Sequence, residues 1–484
     1  MLDLPFRSAG QLAAEIQRKT ISAEELLELF LARVERHNPR LNAIIATAIP
    51  EARVRAQRAD DALAKGETWG PLHGVPMTIK ESFDVVGMPS TWGVPALKDN
   101  LPSRNAIAVD RFLDAGAILF GKTNVPLYLA DWQSFNAIYG TTNNPWDVAL
   151  SPGGSSGGSA AALAAGLTGL EAGSDIGASI RNPAHYCGVF GHKPTWGICP
   201  PRGQAMPGIV AQNDISVVGP MARSAEDLDL GLSIMAGPDD IDGSGWRLEL
   251  PPPRHSEARD FRVAVMLNDD CAEVDDAVQE RITAVAEHLA KVGAKISFTA
   301  RPAIETAEAN RVYIALLRGA TSGRQSDAML MINQKLARDL APDDESYLAR
   351  MTRANVMPHR DWLRYNNSRH LMRLAWAAFF RDWDVLICPA AASAAFPHDH
   401  AGDRHERRIT VNGKRVPTTD QLFWAGYSGV AYLPSTVAPA GFTREGLPVG
   451  VQIIGPQYGD RTTIGLARLL EQTFQAFVPP PGFE

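Results

Sequence analysis

The run Pro152-Gly-Gly-Ser-Ser-Gly-Gly-Ser159, followed by alanines and then by Gly173-Ser-Asp-Ile-Gly-Ala-Ser179-Ile-Arg181, limits what this chain can become. The uncharged residues 148–170 are too small and too polar for a membrane span, so they read as a buried helix packed closely through its alanines. Two serines, Ser155 and Ser179, sit in the glycine-rich backbone of this stretch. A hydroxyl in such a turn before a helix meets unpaired backbone N–H groups, which stabilise developing negative charge. A serine nucleophile needs such donors and a base.

The candidate base lies upstream in Leu72-His-Gly-Val-Pro-Met-Thr-Ile-Lys80-Glu-Ser-Phe-Asp84. Val75, Met77 and Ile79 alternate as in a strand and deliver one lysine at its end. Burial favours the neutral amine and lowers its pKa, which a lysine needs in order to accept a proton near neutrality. An isolated lysine is ordinarily a solvated surface group, so the signal gains weight only with the two serines.

Together these pieces resemble the amidase signature family, serine hydrolases with a Ser–Ser–Lys triad. The resemblance extends to Asp114-Ala-Gly-Ala-Ile-Leu-Phe-Gly-Lys-Thr-Asn124, Tyr139-Gly-Thr-Thr-Asn-Asn-Pro-Trp-Asp147, Cys187-Gly-Val-Phe-Gly-His-Lys-Pro-Thr195 and Pro439-Ala-Gly-Phe-Thr-Arg-Glu-Gly-Leu-Pro-Val-Gly-Val-Gln-Ile-Ile-Gly455. It implies that Ser179 attacks the carbonyl, that Ser155, after a cis peptide bond, shuttles protons to the leaving nitrogen, and that neutral Lys80 stands behind Ser155. It further implies an oxyanion hole of the backbone amides of Ile176, Gly177, Ala178 and Ser179, and no metal or cofactor. Two positions depart from the family's pattern. Ala178 stands where a second glycine is usual, keeping the N–H but restricting φ, and Glu81 follows the lysine where aspartate is usual.

The fold expected from the resemblance is α/β, the amidase signature fold, a mixed twisted β-sheet core covered by helices on both faces. The whole chain, 1–484, reads as a single amidase domain, with catalytic motifs at 72–235, a helix-rich elaboration at about 255–380 and a C-terminal return to the sheet at about 384–470. The N- and C-terminal segments are expected to complete the same sheet. Ser22 with Glu25 forms a capping box ahead of Leu26, Leu27, Leu29, Phe30 and Val34. Strands are expected at Phe261–Met266, Asp384–Cys388 and Gly450–Ile454, and a helix at Val274–Val292.

Apolar residues make up 45% of the chain, enough for a large core, and the formal charge of −7 is spread without a basic stripe. That excludes nucleic acid as an expected partner. The N-terminus lacks a basic segment followed by an apolar one, so no signal peptide is read and the cytoplasm is the expected location. The four cysteines show no C-x-x-C pattern and read as structural thiols. His398, His400 and His405 offer metal ligands in principle, but a solvated loop is the preferred reading.

Rival chemistries fit less well. Gly153-Gly-Ser155-Ser-Gly157 satisfies G-x-S-x-G, yet the preceding segment is short and broken by Pro152, and no H-G-G-G motif precedes it. The phosphate-loop spacing and the S-x-x-K motif are absent. A partner-dependent alternative is the amidase subunit of a glutamine-dependent tRNA amidotransferase, which shares the triad. Where such subunits tend to carry a small polar Gly-Ser-Ser run, this chain reads Leu129-Ala-Asp-Trp-Gln-Ser-Phe135. Asp131, Trp132 and Gln133 are therefore candidate substrate-binding residues, and bulky Trp132 suits an apolar or aryl group better than free glutamine. The expected substrate is a small-molecule amide, with aryl amides, esters and carbamates open to the same chemistry; no membrane partner is expected, and a homodimer is left open.

Overall fold

The computed structural model describes residues 4–483. Fifteen strands occur among them. The first three are β1 (Ile44–Thr47), β2 (Pro76–Lys80) and β3 (Ile118–Thr123), and β4 (Phe135–Asn136) pairs with β5 (Gly140–Thr141). The central group is β6 (Glu171–Asp175), β7 (Phe190–Lys193), β8 (Val217–Ala222), β9 (Arg262–Val265), β10 (Lys295–Ser297) and β11 (Val385–Pro389). A second hairpin, β12 (Arg408–Val411) and β13 (Lys414–Pro417), precedes β14 (Ser435–Phe442) and β15 (Pro448–Ile454).

Eight of these form one mixed sheet in the order β10-β9-β11-β15-β14-β7-β8-β6. The β10–β9 and β9–β11 pairs are parallel and the remainder antiparallel. The strands expected at 261–266, 384–388 and 450–454 are β9, β11 and β15. The N-terminal segment does not enter this sheet, contrary to the expectation from sequence. It builds its own three-stranded sheet, β1-β3-β2, which abuts the edge strand β6. Two side-chain bonds and one backbone bond stand at that junction in place of a ladder: the Thr78 amide donates to Thr168 Oγ1 (2.9 Å), the Thr78 hydroxyl donates to Glu171 Oε1 (2.5 Å), and the Gly169 amide donates to the Pro76 carbonyl (3.0 Å).

Helices flank the sheet. Ser22 and Glu25 exchange the two bonds of a capping box at the start of helix Ala23–Leu41, whose Leu26, Leu27 and Phe30 are buried. Asp227 accepts hydrogen bonds from the Ala9 and Gly10 amides (2.6 and 3.0 Å), tying the first helix, Ala9–Gln17, to helix Ala225–Met235. The alanine-rich run forms helix Gly157–Ala164, all eight residues buried, packed on β2, β3 and β6. The close approach is made at Gly158, where a Cβ would stand 2.4 Å from the Asn124 nitrogen.

Between β10 and β11 the chain forms helices Thr306–Thr321, Asp327–Asp339, Tyr347–Asn355 and His359–Asp382. No helix among the described residues is long and apolar enough to cross a membrane.

Candidate active site

All five residues of β2 are buried, which carries Lys80 into the protein with its side chain fully enclosed. Its Nζ is hydrogen-bonded to Ser155 Oγ (2.7 Å), Ser156 Oγ (3.0 Å) and Ser174 Oγ (3.0 Å), with the Ser174 carbonyl at 3.4 Å. Burial strips water from the ammonium and lowers its pKa to about 7, although Asp175, Glu171 and Glu81 pull the other way. Gln204 Nε2 donates to Ser174 Oγ (3.1 Å) and to Ser82 Oγ (3.0 Å), fixing one wall of this cradle. Ser156, Ser174 and Gln204 were not singled out from sequence. Ser156 and Ser174 lie inside the two serine motifs, whereas Gln204 has no local signal.

Ser155 follows a cis peptide bond from Gly154. A Cβ on Gly154 would lie 2.5 Å from the Asp131 carbonyl oxygen, so glycine is required by the close passage of the 131–133 backbone. The Ser179 carbonyl accepts the Ser156 N–H at 3.1 Å, which sets the two serine turns side by side. No hydrogen bond joins the Ser155 and Ser179 hydroxyls.

The loop carrying Ser179 is built around Asp175. Its carboxylate accepts N–H bonds from Ala178 (3.0 Å) and Ile180 (3.1 Å) and pairs twice with Arg181, at 3.0 Å from Nε and 2.8 Å from Nη2. Burial alone would raise the Asp175 carboxyl, but the Arg181 guanidinium holds it below the usual carboxylate range. Arg181 Nη1 continues to the Ala425 carbonyl (3.1 Å), Ser428 Oγ (3.0 Å) and Gln452 Oε1 (2.6 Å). This buried pair shapes the loop and leaves neither partner free as an acid or base.

Ala178 has φ +69°, a left-handed conformation that costs an alanine about 1 kcal/mol or more and that glycine adopts freely. Asp175 holds it there. The same bond commits the Ala178 N–H, one of the four expected oxyanion-hole donors, to the Asp175 carboxylate. The Ile176, Gly177 and Ser179 amides have no internal acceptor among the described residues. The carbonyls of the loop are anchored from outside, Gly177 by Trp132 Nε1 (2.7 Å) and Ile176 by the Tyr313 hydroxyl (2.9 Å). Glu81 has a separate task, accepting the amides of Thr91 and Trp92 to close the turn at 90–93.

A small cavity opens over Ser179. Its walls include Leu129, Asp131, Trp132, Ile176, Leu317 and Leu422. Larger crevices, such as the one lined by Arg311, Arg350, Asp361 and Tyr365, do not contain Ser179. Trp132 thus lines the cavity and braces the nucleophile loop. Gln133 does not line it: its amide spans the loop at Asp399, donating to the carbonyl (2.7 Å) and accepting the N–H (2.9 Å). Asp131 reaches the cavity, but its carboxylate is paired with Arg407 at 2.5 Å. Of the histidine tract, His400 stacks on Phe135 with ring centroids 3.7 Å apart, and no three potential metal-ligating side chains converge among the described residues.

A lysine amine buried among serine hydroxyls, beside a second serine in a loop of free amides, is an arrangement suited to acyl transfer. The Amidase family model matches residues 25–464, and the chain belongs to that family. It is an amide hydrolase by that membership. The indoleacetamide hydrolase of Bradyrhizobium diazoefficiens is 34% identical over 474 residues, covering 96% of this chain and 86% of that protein. A glutamyl-tRNA(Gln) amidotransferase subunit from Synechococcus is 31% identical over 486 residues, covering 96% of each. The solved structure of a bacterial aryl acylamidase of the amidase signature enzyme family superposes with a TM-score of 0.82 at 24% identity, covering 97% of this chain and 96% of that one. The architecture is the amidase signature fold.

Proposed function

We propose that the protein hydrolyses a small-molecule carboxylic amide through an acyl-enzyme on Ser179, with Lys80 and Ser155 as its proton relay. The carrying observation is the enclosed Lys80 amine 2.7 Å from Ser155 Oγ. An amine with a pKa of about 7 is neutral in half the molecules at neutral pH and accepts the Ser155 proton as Ser155 takes that of Ser179. This transfer requires the Ser179 hydroxyl to come within hydrogen-bond distance of Ser155 Oγ. The oxyanion is received by the amides of Ile176, Gly177 and Ser179. Ser155 then protonates the departing amine, and water releases the acid by the reverse relay. Anilides, esters and carbamates fit the same cycle, because it acts on the carbonyl and on leaving-group protonation.

The second reading, a glutamine-hydrolysing component of an amidotransferase, draws on relatives such as the Synechococcus protein. The indole of Trp132 at the cavity wall favours the stand-alone hydrolase. The test is turnover by the purified protein alone across aliphatic amides, anilides, carbamates and glutamine, with a fluorophosphonate probe to label the active serine. Cleavage of anilides or aliphatic amides and labelling at Ser179 are expected. Labelling elsewhere would remove Ser179 as nucleophile, and glutamine turnover only with added partner subunits would favour the second reading.

A further inference from the structure

The cavity over Ser179 carries three guanidinium groups that the hydrolytic cycle does not use. Arg318 comes from helix Thr306–Thr321, Arg324 from the turn after it, and Arg404 from the segment before β12. None of the three forms an ion pair among the described residues. The one acidic side chain on the cavity wall, Asp131, is taken by Arg407. Their contacts are neutral: Arg318 meets the Tyr347 hydroxyl, Arg324 donates to the Tyr128 carbonyl (2.8 Å), and Arg404 donates to the Ala130 carbonyl (3.0 Å) and Tyr347 (3.2 Å). The Arg318 Nε is buried with no partner.

Each guanidinium has five N–H donors in a planar fork that matches a carboxylate, so these contacts leave most of that capacity unused. Arg404 feels the Asp131 carboxylate, but no carboxylate acts on Arg318 or Arg324, and cations withdrawn from water with so little counter-charge are costly, a deficit that a ligand anion removes. Apart from Asp131 and Thr321, the side chains lining the rest of the wall around Ser179 are apolar, Leu129, Trp132, Leu317 and Leu422 among them. We propose that the substrate is an amide bearing a carboxylate, which Arg318, Arg324 and Arg404 receive while the scissile carbonyl lies at Ser179. This rests on the amide-hydrolase reading of the same site and adds a charge requirement that Trp132 alone does not suggest.

Two substrate pairs test it: succinyl 4-nitroanilide against butyryl 4-nitroanilide places the carboxylate on the acyl side, and 4-butyramidobenzoate against butyranilide places it on the amine side. In one pair the charged member is expected to have a kcat/KM about 10- to 100-fold higher, mainly through KM, the range of a charge-assisted hydrogen bond. Arg324→Gln is expected to shrink that ratio about tenfold and Arg324→Lys to restore part of it, as a charge contact requires. Arg318→Gln should act in the same direction, and if it fails to fold the Arg324 variants carry the test. Where turnover is slow, the concentration of each compound that halves fluorophosphonate labelling of Ser179 gives the same ratio. Neutral members preferred in both pairs, or a ratio untouched by Arg324→Gln, would overturn the anion requirement while labelling at Ser179 left the hydrolase reading standing. Failure of both labelling and turnover would remove the hydrolase reading and this inference with it.

Discussion

Burial sets Lys80 apart from a surface lysine, and its consequence is a pH profile. Because neutral Lys80 is the active form and its pKa is lowered to about 7, kcat/KM is expected to climb as pH rises through 7 and to level off above it. Lys80→Met should abolish that ascending limb and lower amide kcat/KM by about 10²- to 10⁴-fold, the usual share of proton-transfer catalysis. A Lys80→Met enzyme with an unchanged profile would sink the base assignment. Ser179→Ala should eliminate labelling while near-UV circular dichroism stays native. At this scale the sequence was informative about the triad, because the alternation of Val75, Met77 and Ile79 and the glycine-rich turns are local signals. It was uninformative about the Ala178 amide, whose direction is set by Asp175 and so depends on how the loop folds back on itself. The turn of Gln133 toward Asp399 was equally hidden, since its partner is 266 positions away.

The element that presents Ser179 is a loop held at both ends of a carboxylate. Asp175→Asn keeps the shape but leaves Arg181 without its counter-charge in the interior, so a loss of about 3–5 kcal/mol is expected in urea unfolding. A loss under about 1 kcal/mol, the scale of a single ordinary hydrogen bond, would show that the pair is not the loop's anchor. Trp132→Phe keeps most of the cavity wall and removes only the indole N–H from the Gly177 carbonyl. It is expected to lower kcat about tenfold with a small change in Tm, about 1 kcal/mol being the net worth of such a bond. Helix Gly157–Ala164 was legible as buried because it has no charge and almost no side-chain bulk. What it packs against was not, because Asn124 reaches Gly158 only through the separate sheet of β1, β2 and β3. Gly158→Ala forces a methyl to 2.4 Å from the Asn124 nitrogen, and overpacking of that kind costs about 1–3 kcal/mol or more.

Over the whole molecule, stability is unevenly distributed. Helix Asp327–Asp339 has no buried residue, and Met331 is 70% exposed. Amide hydrogen exchange is expected to be fastest among the helices there and slowest in Gly157–Ala164, since few buried contacts resist local opening. Equal protection in the two would refute this. The middle region was the least legible part of the sequence: it holds no motif, and Arg318 and Arg324 acquire meaning only when folding sets them beside Arg404 and Ser179. The reach of Arg181 to Ala425, Ser428 and Gln452 has a temporal corollary. A nascent chain on the ribosome exposes its lysine and both serines long before β15 emerges, yet the guanidinium that shapes the nucleophile's loop still lacks three of its partners. Hydrolytic competence is therefore expected only once β15 has emerged and folded back on Arg181, and until then the chain carries the reactive groups without the loop that uses them.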